Sequence, residues 1–122
     1  MRPEDTFLST VDGGHPWVII TEPDESGEVV CATFTTRRDR SDATTICQAG
    51  EHPFFRHETV VAHNQCLQYT TAMIEEYFED GTFVAREPCA PALLRKVRDG
   101  IMASEFTPKY IRAALAASRR DT

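Results

Sequence analysis

A histidine and a pair of threonines stand at opposite ends of one predicted β-hairpin. His15 opens an apolar run at residues 15–21, and Thr35 and Thr36 close a second run at residues 28–36. Because the start of one antiparallel strand lies beside the end of its partner, we expect the imidazole and a hydroxyl on one rim. Guanidinium groups, which bind phosphate through charge-assisted hydrogen bonds, follow directly at Arg37, Arg38 and Arg40. The pattern indicates an anion site, and the alternative is surface residues without such a role.

The segment at residues 51–58 concentrates two histidines, an arginine and two phenylalanines. Phe54 and Phe55 are candidates to stack on unpaired bases while Arg56 contacts phosphate, a combination typical of single-stranded RNA binding. His57 is a candidate proton carrier, because imidazole gains and loses a proton near neutral pH. In the alternative interpretation the phenylalanines plug one end of the fold and His57 begins an outward-facing strand.

The charge balance argues against one class of nucleic-acid binder. The 122 residues include 13 basic and 19 acidic side chains, which gives a net charge of −6. Binding that depends only on neutralising the nucleic-acid backbone needs a broad basic surface, and this composition does not supply one. Local basic spots, such as residues 37–40, remain compatible with contacts to a few phosphates.

Several other classes of site lack their sequence signals. The four cysteines form no C-x-x-C pair, and the four histidines form no H-E-x-x-H motif, so we expect neither a metal nor another cofactor. The cysteines are predicted to be small buried hydrophobes. No apolar run approaches the ~20 residues of a membrane span, and the N-terminus lacks the pattern of an export signal. We therefore expect a cytoplasmic protein without membrane contact.

The periodicity predicts an α+β domain in which a small, mostly antiparallel barrel or curled sheet precedes helices. Residues 1–13 are expected to be a flexible segment, and residues 14–122 a single domain. Beyond the hairpin, strands are predicted near residues 44–48, 57–63, 65–69 and 82–86. Helices are predicted at residues 71–80, from Pro91, and from the Thr107-Pro108 pair, where proline suits a helix start.

The hairpin resembles the core of the PemK/MazF toxins. The resemblance lies in Gly14-His15-Pro16-Trp17-Val18-Ile19-Ile20 and in the run from Val29 to Thr36, and it covers roughly residues 14–69. It implies an SH3-like antiparallel β-barrel and ribonuclease activity. By position, the family's catalytic threonine corresponds to Thr35, with Thr36 as its neighbour, and its catalytic arginine falls on His15.

The resemblance and the residues together predict a metal-independent endoribonuclease toxin that cleaves single-stranded RNA, is neutralised by an antitoxin protein, and forms a homodimer. The alternative is an inactive SH3-like barrel that serves as a protein interaction module. The predicted catalytic residues are His15, Thr35, Arg56 and His57. The predicted RNA-binding residues are Thr36, Arg37, Arg38, Arg40, Phe54 and Phe55.

Overall fold

A computed structural model describes residues 2–11 and 14–120 and confirms the α+β class. It contains seven strands and three helices in the described residues. The strands are β1 (Thr6–Ser9), β2 (His15–Ile19), β3 (Glu28–Thr36), β4 (Ile46–Cys47), β5 (Thr59–Val61), β6 (Leu67–Thr70) and β7 (Phe83–Arg86). The helices are α1 (Thr71–Glu79), α2 (Pro91–Ala103) and α3 (Lys109–Arg120).

The strands form one antiparallel sheet in the order β4-β5-β3-β2-β1-β7, and β6 also pairs with β3. The edge strands β4 and β7 do not pair with each other within the described part of the chain, so the sheet is not closed. The coarse prediction of an antiparallel sheet with helices is therefore confirmed.

Alternating apolar residues give the sheet two buried faces. Along β3, Val30, Ala32 and Phe34 pack with α2 and α3 in the larger core cluster. Val29 and Cys31 point to the other face and pack in a smaller aromatic cluster that includes α1. Because side chains alternate along a strand, a single nine-residue strand contributes to both cores. β3 is thus the central strand of the molecule.

The same edge of β3 pairs with two strands in succession. Its C-terminal part pairs with β5, with Thr36 opposite Thr59, and its N-terminal part pairs with β6, with Cys31 opposite Leu67. The register changes between these two ladders, where a three-residue 3-10 turn at His63–Gln65 is inserted. This turn carries the fully buried side chain of His63 into the protein.

The expectation that residues 1–13 are a flexible segment is wrong for residues 6–9, which form β1. β1 lies inside the sheet between β2 and β7, and the Phe7 ring is 0% exposed among the rings of Trp17, Phe78 and Phe83. Two of the residues around Phe7, Thr6 and Ser9, are polar and yet buried, so this strand has no continuous apolar pattern. The polar composition of residues 1–13 therefore concealed a central strand.

All four cysteines are buried and unpaired, as predicted. Burial raises the pKa of Cys66 to about 12 and that of Cys47 to about 11, so these thiols stay protonated. Within the described ranges no helix has both the length and the apolar character needed to cross a membrane.

We expect Phe7→Ala to lower the free energy of unfolding by about 3–5 kcal/mol, because it removes a large aromatic side chain from a packed core. Val11→Ala is the matched control, since Val11 lies close by in sequence but is 53% exposed, and should change stability by less than about 0.5 kcal/mol. Urea denaturation measures both. Equal midpoints for the two variants would show that residues 6–9 do not belong to the sheet.

Candidate nucleic-acid interface

The C-terminal end of β3 and the segment before β5 enclose a groove of about 680 Å³, which we call the arginine groove. It brings together four of the predicted site residues, contributed by segments about 20 positions apart in sequence. Its lining residues are Thr36, Arg37, Arg38, Asp39, Ser41, Ala43, His57 and Glu58.

Strand pairing accounts for this assembly. Because Thr36 pairs with Thr59, the residues that follow β3 lie beside the residues that precede β5. The ladder continues beyond the strands, where the backbone N–H of Arg37 donates to the carbonyl of Glu58 at 3.0 Å. His57 and Arg38 are therefore held on the two walls of the groove, and both side chains are exposed.

The two arginines of the groove differ in their electrostatic surroundings. The Arg37 guanidinium lies 2.5 Å from the Glu58 carboxylate, which offsets much of its charge. Among the described residues, no carboxylate lies within ion-pair distance of the Arg38 guanidinium, while its backbone N–H is held by Ser41 Oγ at 2.8 Å. Arg38 is thus the residue best placed to meet an anion that enters the groove.

A buried hydrogen-bond network anchors the loop that carries these arginines. Asp42, at the end of the loop, accepts from His63 Nδ1 at 2.7 Å and from Ser104 Oγ at 2.6 Å. The second ring nitrogen of His63, Nε2, lies 2.9 Å from the hydroxyl of Thr45. Since an ionised carboxylate only accepts, His63 donates through Nδ1 and accepts at Nε2. The loop is therefore tied both to the 3-10 turn and to the end of α2.

The network shifts the pKa values of both ionisable members. Burial alone would raise the pKa of Asp42, but hydrogen bonds from Ser104, Thr44 and His63 outweigh it and lower that pKa to about 2. Burial lowers the pKa of His63 from its ordinary value, and the hydrogen bond and charge of Asp42 oppose this effect without cancelling it. At neutral pH the pair is an ionised carboxylate and a neutral imidazole.

Asp42, His63 and Thr45 stand in the order carboxylate, imidazole and hydroxyl that activates nucleophiles in many hydrolases. In this structure, however, His63 is 0% and Thr45 2% exposed. The Thr45 hydroxyl also lies against Gly100 of α2, where there is no room for a Cβ. With His63 and Thr45 this deeply buried, the three residues tie the loop, the 3-10 turn and α2 together.

The other predicted site residues lie outside the arginine groove. Thr35 and Arg40 line an adjoining groove of about 400 Å³, which shares Ser41 with the first. Arg56 is exposed beside His57 in sequence but is not among the lining residues of either groove. His15 lies at the start of β2 and lines a separate cavity. The predicted constellation is therefore divided among three neighbouring regions.

The two phenylalanines of residues 51–58 face inward. Phe55 is 4% exposed and packs edge to face on Phe34, with ring centroids 4.9 Å apart, so its ring is closed to a base. Phe54 is partly buried against the larger core, with its ring 4.4 Å from that of His52. Their position agrees with the alternative interpretation, in which the two rings pack into the core.

Sequence reasoning did not identify Asp42, His63 or Ser104. Asp42 lies in a polar loop, His63 beside a predicted turn at Asn64, and Ser104 after a helix. The pairing of His63 with Asp42 bridges 21 sequence positions, and that of Ser104 with Asp42 bridges 62. The one local feature that could have indicated this network is the position of His63 at the end of a predicted strand. The described residues contain no cluster of three or more histidine, cysteine or acidic side chains that could hold a metal ion.

No protein-family model matches the chain, and a search of curated proteins finds no significant match.

Gly100→Ala should be strongly destabilising although alanine favours helix by about 1 kcal/mol. A Cβ at this position would lie 1.6 Å from Thr45 Oγ1 and 3.1 Å from His63 Nε2, so the network must break or α2 must move. We expect a loss of about 1–3 kcal/mol. Ala103→Gly, at the exposed last residue of the same helix, is the control and should cost less than about 1 kcal/mol. A stabilised Gly100→Ala protein in urea denaturation would disprove this packing.

The stability of the protein should fall between pH 7.5 and pH 5.5. Since the folded state lowers the pKa of His63 below its ordinary 6.5, the unfolded chain takes up a proton first as the pH falls. The stabilisation that comes from the neutral, buried His63 is therefore present above pH 6.5 and is lost as the pH falls below that value. In His63→Gln, which cannot titrate, the free energy of unfolding should be lower at pH 7.5 and should change less with pH. Parallel profiles for the two proteins would rule out the neutral buried imidazole.

Proposed function

We propose that the protein is a metal-independent endoribonuclease of the PemK/MazF type that binds single-stranded RNA in the arginine groove. The observation that carries the proposal is the convergence of Arg38, Thr36 and His57 in one open groove through the pairing of β3 with β5. Cations, a hydroxyl donor and an imidazole are the groups that phosphodiester cleavage requires. The SH3-like barrel of the resemblance, in an incompletely closed form, is part of this proposal.

The proposed reaction uses the 2′-hydroxyl of the RNA as its nucleophile. The imidazole of His57 takes the 2′-hydroxyl proton, and the oxygen attacks the adjacent phosphorus. The guanidinium of Arg38 donates hydrogen bonds to the phosphorane oxygens as negative charge accumulates. The bond to the 5′-oxygen breaks, and this oxygen takes a proton from the imidazolium or from water. The products are a 2′,3′-cyclic phosphate and a free 5′-hydroxyl.

The structure supports a different distribution of roles from the one that the sequence resemblance implies. His15, which occupies the position of the family's catalytic arginine, lines another cavity. Thr36 and not Thr35 lines the arginine groove. We therefore assign the proton transfer to His57 and the binding of the phosphate to Arg38. An antitoxin segment that covers the groove, and a homodimer, complete the proposal.

The test is cleavage of a labelled single-stranded RNA oligonucleotide in the presence of EDTA. We expect the wild-type chain to cleave it to 2′,3′-cyclic phosphate ends, detected by mass spectrometry. His57→Ala should lose roughly 10²- to 10⁴-fold in rate. Arg38→Ala should weaken RNA binding and reduce its dependence on salt by the equivalent of about one phosphate contact.

Arg86→Ala is the matched control. Arg86 is an exposed arginine at the opposite end of the sheet, since it pairs with Thr6 at the start of β1. This variant should cleave at the wild-type rate. Intact RNA after incubation with the folded wild-type chain would refute the ribonuclease proposal. RNA binding without cleavage would leave an RNA-binding module, and failure to bind would leave a protein interaction module.

A further inference from the structure

A second cavity lies at the same end of the sheet as the arginine groove, on the face covered by α1. Its volume of about 430 Å³ is within the range of small-ligand sites, about 300–1,000 Å³. We call it the aromatic cavity. Its lining residues are Ser9, Val11, His15, Trp17, Leu67, Tyr69, Tyr77, Thr82 and Phe83.

Four aromatic rings in this cavity are arranged at steep angles to one another. The planes of Trp17 and Tyr69 meet at 74°, with centroids 6.1 Å apart, and those of Tyr77 and Phe83 meet at 62° at 5.0 Å. Phe83 is buried, whereas Trp17, Tyr69 and Tyr77 are half-buried and keep part of their surface open. A flat ligand can therefore lie against one ring and meet the edge of another.

The polar groups of the cavity are hydroxyls and one imidazole. They comprise the hydroxyls of Ser9, Tyr69, Tyr77 and Thr82 and the imidazole of His15. No carboxylate is present among the lining residues, although the chain as a whole carries 19 acidic side chains. Burial raises the pKa of Tyr69, which keeps its hydroxyl available as a donor. The lining thus combines ring faces with donors and acceptors and does not repel a polyanion.

Topology relates this cavity to the arginine groove. In the antiparallel sheet the end of β1, the start of β2 and the end of β3 lie on one rim, and they carry Ser9, His15 and Thr36 respectively. The β2–β3 ladder ends at Trp17 opposite Thr33, and at ~3.3 Å per residue His15 lies roughly 7 Å and Thr36 roughly 10 Å beyond it, so the two sites are separated by a distance on the order of 10 Å. A short single strand of RNA covers that distance.

We propose that the aromatic cavity is a nucleobase subsite that accepts one unstacked base of the RNA whose phosphate lies in the arginine groove. The base stacks on the open ring surfaces, and the hydroxyls and His15 contact its polar edge. The inference rests on the proposed RNA binding, and it adds the element that selects unpaired RNA. A base held within a duplex cannot enter the cavity.

Trp17 is the only tryptophan in the chain, so its fluorescence reports this cavity directly. The probe is a single-stranded RNA oligonucleotide with an end label, whose binding is measured independently by anisotropy. Binding should quench Trp17. Tyr77→Ala should weaken binding roughly 5- to 150-fold, the equivalent of the ~1–3 kcal/mol measured per stacked base. Tyr77→Phe, which keeps the ring, should retain most of the affinity.

Two further variants complete the design. His15→Ala changes an exposed side chain that the fold does not need, and it should weaken binding several-fold without altering the circular dichroism spectrum. Arg38→Ala should weaken binding while the oligonucleotide, once bound, still quenches Trp17. This combination would show that the phosphate and the base are held at different places.

The outcomes separate the subsite from the proposed function. RNA binding with unchanged Trp17 fluorescence and full affinity in Tyr77→Ala and His15→Ala would overturn the subsite and leave the arginine groove in place. Absence of RNA binding would overturn both. Quenching by a short apolar or proline-rich peptide but not by RNA would assign the cavity to a protein partner and overturn the inference.

Discussion

The hydrogen bond between the imidazole of His63 and the carboxylate of Asp42 ties the arginine-bearing loop to the turn that follows β5. His63 sits in the turn where β3 changes partners from β5 to β6, and Asp42 ends the loop that carries the arginines. Ser104 brings the end of α2 to the same carboxylate. Because a buried polar group without a partner costs about 1–3 kcal/mol, each of these three groups depends on the others. The position of the arginine groove follows from this arrangement.

The network also explains how a short, polar loop can present cations in a fixed place. Residues 37–42 lie outside the sheet, but both ends of the loop are held. The Arg37 backbone extends the ladder to Glu58, and the carboxylate of Asp42 is held by His63 and Ser104. Between these two anchors the side chain of Arg38 is exposed to solvent. An anchored backbone that carries an exposed guanidinium fits the proposed site for a flexible, charged ligand.

Much of the fold could be predicted from the sequence, because most of the strands and helices have a strong local signal. The helix that starts at Pro91 and the apolar runs of β2 and β3 are examples.

The features that could not be predicted depend on contacts between residues that are distant in sequence. Phe54 and Phe55 have the same local signal, but only the structure shows that Phe55 packs on Phe34. The strand around Phe7 was missed because its buried neighbours Thr6 and Ser9 are polar. His15 and Thr35 stand at the same end of the sheet but line different cavities, because the start of β2 pairs with β1 and the end of β3 pairs with β5.

The acidic character of the chain limits how it could hold the RNA that we propose as its ligand. A protein with a net charge of −6 gains little from long-range attraction, and one unpaired guanidinium releases few counterions. Phosphate contacts in the arginine groove alone would therefore give weak binding with little salt dependence. Useful affinity requires a second, uncharged contribution, and stacking is the one that a ring-lined cavity supplies. Because stacking requires a base to leave its own stack, a site of this composition favours unpaired RNA over duplexes even where the phosphate contacts are the same.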